Sequence, residues 1–173
     1  MDIAPQDALV MLKLVAIGGR PWSYGNLACE LGISPSQAHS AVKRALSARL
    51  AFRHNGRIIP QTNNLEEFLI HGLKYLCVPR RRELTRGVPT AHGAPPLTDM
   101  LVEPQNIIPV WPHPEGKVRG ESFSPIFRSA PEASMRDEGL YQLLALVDAI
   151  RGGRAREHAL AARELGKRLK AYG

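Results

Sequence analysis

The chain reads as a mainly α-helical protein with a small β component, an α+β fold. Three features lead there. Apolar residues recur at helical spacing towards both ends, as in Leu27, Ala28 and Leu31 or Leu140, Leu143, Leu144 and Val147. Asn55-Gly56 sits between two short β-prone runs, the strongest short signal for a hairpin. A proline-marked stretch over 107–127 carries Ile107, Ile108, Val110, Trp111, Val118 and Phe123, which suits edge strands.

The first helix is expected over 5–17, with Leu9, Leu12, Val15 and Ala16 inward and Gly18-Gly19 as its stop. Trp22 precedes Ser23, the cap of a second helix, and is placed to staple that helix's entry. Leu27, Ala28 and Leu31 form the inner stripe, and Cys29 beside them is read as a small buried residue. Gly32 supplies the left-handed residue that ends a helix, and Ile33 plugs the corner. Ser34 opens a third helix, with Pro35 at its first position and Gln37 completing a capping box.

That third helix buries Ala38, Val42, Ala45 and Leu46 and turns Ser36, Gln37, Ser40, Lys43, Arg44 and Ser47 outward. Short polar side chains come first and cations one turn later. Such an order suits a helix whose start reads base edges and whose later turns meet phosphate. In the hairpin that follows, Arg53, His54 and Arg57 lie at or near the tip. A cation there is favoured beside a nucleic-acid backbone or in a minor groove. The competing readings are a plain helical hairpin in an ordinary core and a solvated hairpin tip.

Over Leu27-Ala28, Leu31-Gly32, Ser34, Ser36, Val42-Lys43-Arg44, Leu46 and Leu50, with the hairpin after them, the first third of the chain resembles the winged helix-turn-helix DNA-binding domains of MarR-like bacterial regulators. Arg49 departs from the pattern, since many relatives carry a glycine after the recognition helix. The resemblance implies a dimeric transcription regulator, acting as a repressor on double-stranded DNA. Ser34, Ser36, Gln37, Ser40 and His39 would then face bases or nearby phosphates. Lys43, Arg44, Arg53 and Arg57 would hold phosphate, with His54 beside them at the wing tip.

Beyond this unit, residues 1–62, the chain divides into a middle segment (63–133) and a C-terminal helical hairpin (134–173). Asn63 or Asn64 caps a helix from Leu65 to about Cys77, with Leu65, Phe68, Leu69, Leu73, Leu76 and Cys77 inward. His71 and Cys77 lack the spacing that sets two ligands side by side on a helix, so no metal site is expected. Four arginines, Arg80, Arg81, Arg82 and Arg86, would grip phosphate or form a solvated charged loop. Residues 87–106 read as a long proline- and glycine-rich loop. Over 107–127 a strand, a turn at 112–116 and a returning strand ending near Phe127 are expected, with Trp111, Phe123 and Phe127 as their own small core. From Asp137 an amphipathic helix runs to Gly152-Gly153, and another from Arg154 to Tyr172 carries Ala161, Ala162, Leu165, Leu169 and Tyr172 inward. Such a pair either closes an intrachain core or joins two protomers as a homodimer.

Composition narrows the classes. The 173 residues are 44% apolar and only 6% aromatic, so a sizeable core is aliphatic. The formal net charge of +7 favours a polyanionic partner. Residues 1–60 hold 7 Lys/Arg against 3 Asp/Glu, residues 61–133 hold 8 against 8, and residues 134–173 hold 8 against 5. The surplus therefore sits at the two ends. Two cysteines make no disulfide framework. No secretory leader or membrane-length apolar run is evident, so a cytoplasmic setting is expected. No GxSxG, Walker loop, HExxH or CxxC pair occurs, and the six histidines are scattered. A non-enzyme without a cofactor is expected. The alternative is a protein-interaction module on the same scaffold, such as an antitoxin-like autorepressor or complex subunit, with residues 79–173 holding a protein partner.

Overall fold

The computed structural model describes residues 2–101 and 107–172. It is a mixed α+β fold. The first unit runs α1 (Pro5–Ile17), α2 (Tyr24–Leu31), α3 (Pro35–Ser47), β1 (Ala51–His54) and β2 (Arg57–Pro60). Helix α4 (Thr62–Glu67) continues through a π turn at Phe68–Gly72 into α5 (Leu73–Leu76). The middle holds β3 (Arg81–Pro89), a 3-10 turn at Ala91–Gly93, α6 (Leu97–Met100), β4 (Pro109–Pro112) and β5 (Val118–Phe123). Three helices close the chain: α7 (Ala130–Arg136), α8 (Glu138–Gly152) and α9 (Ala155–Tyr172).

Local chemistry explains the first unit. Ser23 Oγ accepts from Asn26 N and starts α2. Gly32, at φ 66° and ψ 36°, ends it, and Ile33 N reaches back to Ala28 O at 3.0 Å. Asn55 and Gly56 both take positive φ, 50° and 75°, as a two-residue hairpin turn requires. Arg49 also takes a left-handed φ of 60°. Asn64 Nδ2 donates to Arg49 O at 2.8 Å and clamps that exit from α3.

Helix α1 is buried along almost its whole length, Ala8 to Val15, because it packs against α3 on one side and α8 on the other. Helix α8 is likewise buried at every position from Leu143 to Arg151. One apolar cluster runs from α1 through α9. The apolar stripes of α8 and α9 are thus covered within the chain: the two helices pack on each other, and α9 also meets α4.

Several expectations need correction. Cys29 is exposed, not buried. Leu76 is also exposed, because the π turn slips the helical register after Glu67. The arginine run is a strand, not a loop: Arg81–Pro89 pairs antiparallel with both β4 and β5. The expected loop over 87–106 contains the end of that strand, a 3-10 turn and a short helix, while residues 102–106 lie outside the described residues. β4 and β5 do not form a hairpin; they pair with each other in parallel, through Pro109↔Glu121 and Val110↔Ser122. The returning strand stops at Phe123 rather than Phe127.

Three glycines allow three strands to close into so small a barrel. A Cβ on Gly87 would lie 2.0 Å from Trp111 O, on Gly116 2.3 Å from the Gly87 backbone, and on Gly120 2.3 Å from Ile108 O. Only a residue without a side chain permits that approach. The barrel is anchored to α8 by a buried polar cluster. Asp148 accepts from Thr90 Oγ1 and Trp111 Nε1, each at 2.7 Å, and from Arg151 Nη2 at 2.9 Å. Arg151 also donates to Cys77 O and Ser124 O. Trp111 and Phe123 are therefore part of the common core rather than a separate one.

Candidate nucleic-acid interface

Helix α3 is held with one face in and one face out. Ala38, Ala41, Val42 and Ala45 are buried against α1 and α2. Ser34, Ser36, His39, Ser40 and Lys43 are exposed along the other side. The capping box forms: Gln37 N donates to Ser34 Oγ at 3.1 Å, and Ser34 N donates to Gln37 Oε1 at 2.9 Å. The Gln37 carbonyl end is thus occupied locally, leaving its amide group outward. His39 is exposed but not isolated, since its ring stacks on Tyr24 at 4.4 Å between centroids.

Arg44 does not join this face. Its Nε and Nη2 donate to the carboxylate of Asp7, at 2.9 and 2.6 Å, and only 18% of its side chain is exposed. Asp7 is fully buried. The hydrogen bond that the guanidinium donates to Asp7 holds it above its usual pKa. Arg44 therefore fastens α3 to α1, and its assignment as a phosphate ligand is corrected to a positioning role. A charged partner from another element overrode the helical spacing that pointed Arg44 outward.

The hairpin β1–β2 pairs Arg53 with Ile58 and His54 with Arg57. Arg53, His54 and Arg57 are all exposed, and β1 packs beside α3. Arg53 and Arg57 have no ion-pair partner among the described residues. Between Glu30 and Glu66 the chain contains no acidic residue at all, against Lys43, Arg44, Arg49, Arg53 and Arg57. That run was readable in the sequence; with Arg44 turned to Asp7, its exposed cations are Lys43, Arg49, Arg53 and Arg57.

A groove of about 520 Å³ opens between the hairpin and the loop from α1 to α2. Arg20, Trp22, Tyr24, Arg53, Arg57 and Tyr172 contribute to its wall. Trp22 meets Tyr24 edge to face at 5.2 Å, so Trp22, Tyr24 and His39 form a chain of ring contacts from the groove to α3. Arg20 and Tyr24 were not singled out in the sequence, because neither lies on the outward stripe of α3. Among the described residues, no group of three or more His, Cys, Asp and Glu side chains is arranged to hold a metal. No described helix is long and apolar enough to cross a membrane. No family model, curated protein or solved structure matches this chain.

Proposed function

We propose that the chain is a winged helix-turn-helix regulator that binds double-stranded DNA. Helix α3 enters the major groove, with Ser36, His39, Ser40 and the Gln37 amide towards base edges. Lys43 on α3 and Arg53, His54 and Arg57 on the hairpin meet the backbone on either side. Ser34 serves mainly as the cap, and Arg44 fixes the angle of α3 to α1. Such a regulator works in the cytoplasm, and as a homodimer it reads two half-sites. The observation that carries this reading is an exposed polar helix face beside a cationic hairpin, in a stretch from which acids are excluded.

Selection from a library of randomised duplexes tests it. A single enriched motif is expected, with base preference relaxed at one position by Ser40→Ala or His39→Ala. Lys43→Ala should weaken enriched and random duplexes alike. No enrichment above the starting library would remove the proposal. The second reading, a protein-interaction module, rests on the exposed apolar side chains Tyr75, Val78 and Leu84, which are 77%, 66% and 51% exposed.

A further inference from the structure

The groove beside the hairpin combines two recognition chemistries. Arg20, Arg53 and Arg57 are among the residues that line it, and among the described residues no Asp or Glu is. None of the three makes an ion pair among the described residues. Arg20 Nε is turned to Ile17 O at 3.0 Å, which fixes the side chain while leaving both of its Nη groups for another acceptor. Guanidinium forks match the oxygens of a phosphate and bind it bidentately. Guanidiniums without an ion-pair partner among the described residues, lining one groove, suit a phosphate dianion better than a single carboxylate. Trp22, Tyr24 and Tyr172 supply flat apolar surface in the same wall, and aromatic rings stack on bases without regard to their identity. A volume of about 520 Å³ lies within the usual range of small-ligand sites.

We infer that this groove binds a nucleotide unit, its phosphate held by Arg20 and Arg57 and its base against Trp22 and Tyr24. The site is distinct from the outer face of α3 yet linked to it. Arg53 and Arg57 belong to both surfaces, and the ring contacts Trp22–Tyr24–His39 join them. Nucleotide in the groove therefore competes with duplex DNA for Arg57. The competition rests on the duplex contact proposed above; nucleotide binding itself does not.

Trp22 reports the binding directly, because the second tryptophan, Trp111, is buried at 1% exposure. The full chain is titrated with AMP, adenosine, inorganic phosphate and a short single-stranded oligonucleotide, following tryptophan emission. AMP or the oligonucleotide is expected to quench Trp22, with adenosine and phosphate each much weaker. Tighter binding of the oligonucleotide than of AMP identifies a strand as the source of the nucleotide; equal or tighter binding of AMP identifies a free nucleotide. Arg20→Ala and Arg57→Ala, both on exposed side chains, should each weaken binding about tenfold, the loss of one charge-assisted contact. Calorimetry on Trp22→Phe should retain AMP binding at reduced affinity. No quenching by AMP or oligonucleotide at millimolar concentration would overturn the inference, as would affinity unchanged in both arginine variants. AMP is also expected to weaken duplex binding; duplex affinity unaffected by saturating AMP would overturn the competition. Absence of duplex binding before any nucleotide is added would instead count against the proposed function and leave the Trp22 titration standing.

Discussion

Replacing Arg44 with methionine separates a structural role from a phosphate-binding one. In the folded chain Asp7 is fully buried and accepts from Ala4 N at 2.8 Å and from the Arg44 fork. Arg44→Met keeps most of the stem's packing but strands the carboxylate with a single backbone donor. Breaking a buried ion pair from one side costs about 3–5 kcal/mol. Arg44 is partly open to solvent, so the lower end, about 3 kcal/mol, is expected. For a chain of this length that corresponds to a fall in Tm of roughly 6–12 °C. The double variant Asp7→Asn, Arg44→Met removes the stranded charge and should recover a large part of the loss. Thermal unfolding followed by circular dichroism reads all three proteins. Arg44→Met with an unchanged Tm, together with a salt dependence of DNA binding flattened by about one unit, would refute the inward pairing and return Arg44 to the outer face.

Three other perturbations test the frame around the interface. Lys13 Nζ sits 2.6 Å from both Asp137 and Glu30. Burial pushes the Asp137 carboxyl up, but the Lys13 hydrogen bond and charge, with backbone donors at Leu140 and Gly139, outweigh it and hold the carboxyl below its ordinary value. Its stabilisation is therefore complete above the unfolded value near 3.8 and lost as pH falls through the lower folded value. Lys13 is opposed by burial and raised overall by Asp137 and Glu30, so its stabilisation persists below 10.5 and is lost as pH rises through the higher folded value. Asp137→Asn should flatten the acid limb of a urea-midpoint profile, and an unchanged limb would exclude the pairing. Gly87→Ala forces a Cβ to within 2.0 Å of Trp111 O and should destabilise by about 3 kcal/mol, the upper end for overpacking; a loss under about 0.5 kcal/mol, the range of a neutral surface change, would contradict the closed three-strand barrel. Asp148→Ala leaves the Arg151 side chain, 0% exposed, without its carboxylate. It should cost about 3–5 kcal/mol and shift Trp111 emission; a native spectrum with a native midpoint would count against the buried cluster.

Sequence and structure agree best where short-range chemistry decides the outcome. Gly32, the Ser34–Gln37 box and Asn55-Gly56 each satisfy their own backbone within a few residues, so α2, α3 and the hairpin were legible. The exposed positions Ser36, Ser40, Lys43 and Ser47 followed from helical spacing alone. Long-range partners were not legible. Asp7 captures Arg44 across 37 positions. The arginine run becomes a strand because β4 and β5 lie on either side of it. Nothing in the local pattern of Cys29 or Leu76 distinguishes the edge of a helix stripe from its centre. The groove drew on three separate segments, with Arg20 before α2, Arg57 on the hairpin and Tyr172 at the end of α9, so no single motif announced it.

The most direct test of the central claim is the slope of log affinity for duplex DNA against log salt concentration, measured for the native chain and for Lys43→Ala, Arg53→Ala and Arg57→Ala. Each variant should lower the slope by about one unit while its Tm stays within a degree or so of native. Slopes that match the native chain in all three variants would show that α3 and its neighbouring hairpin do not face a duplex.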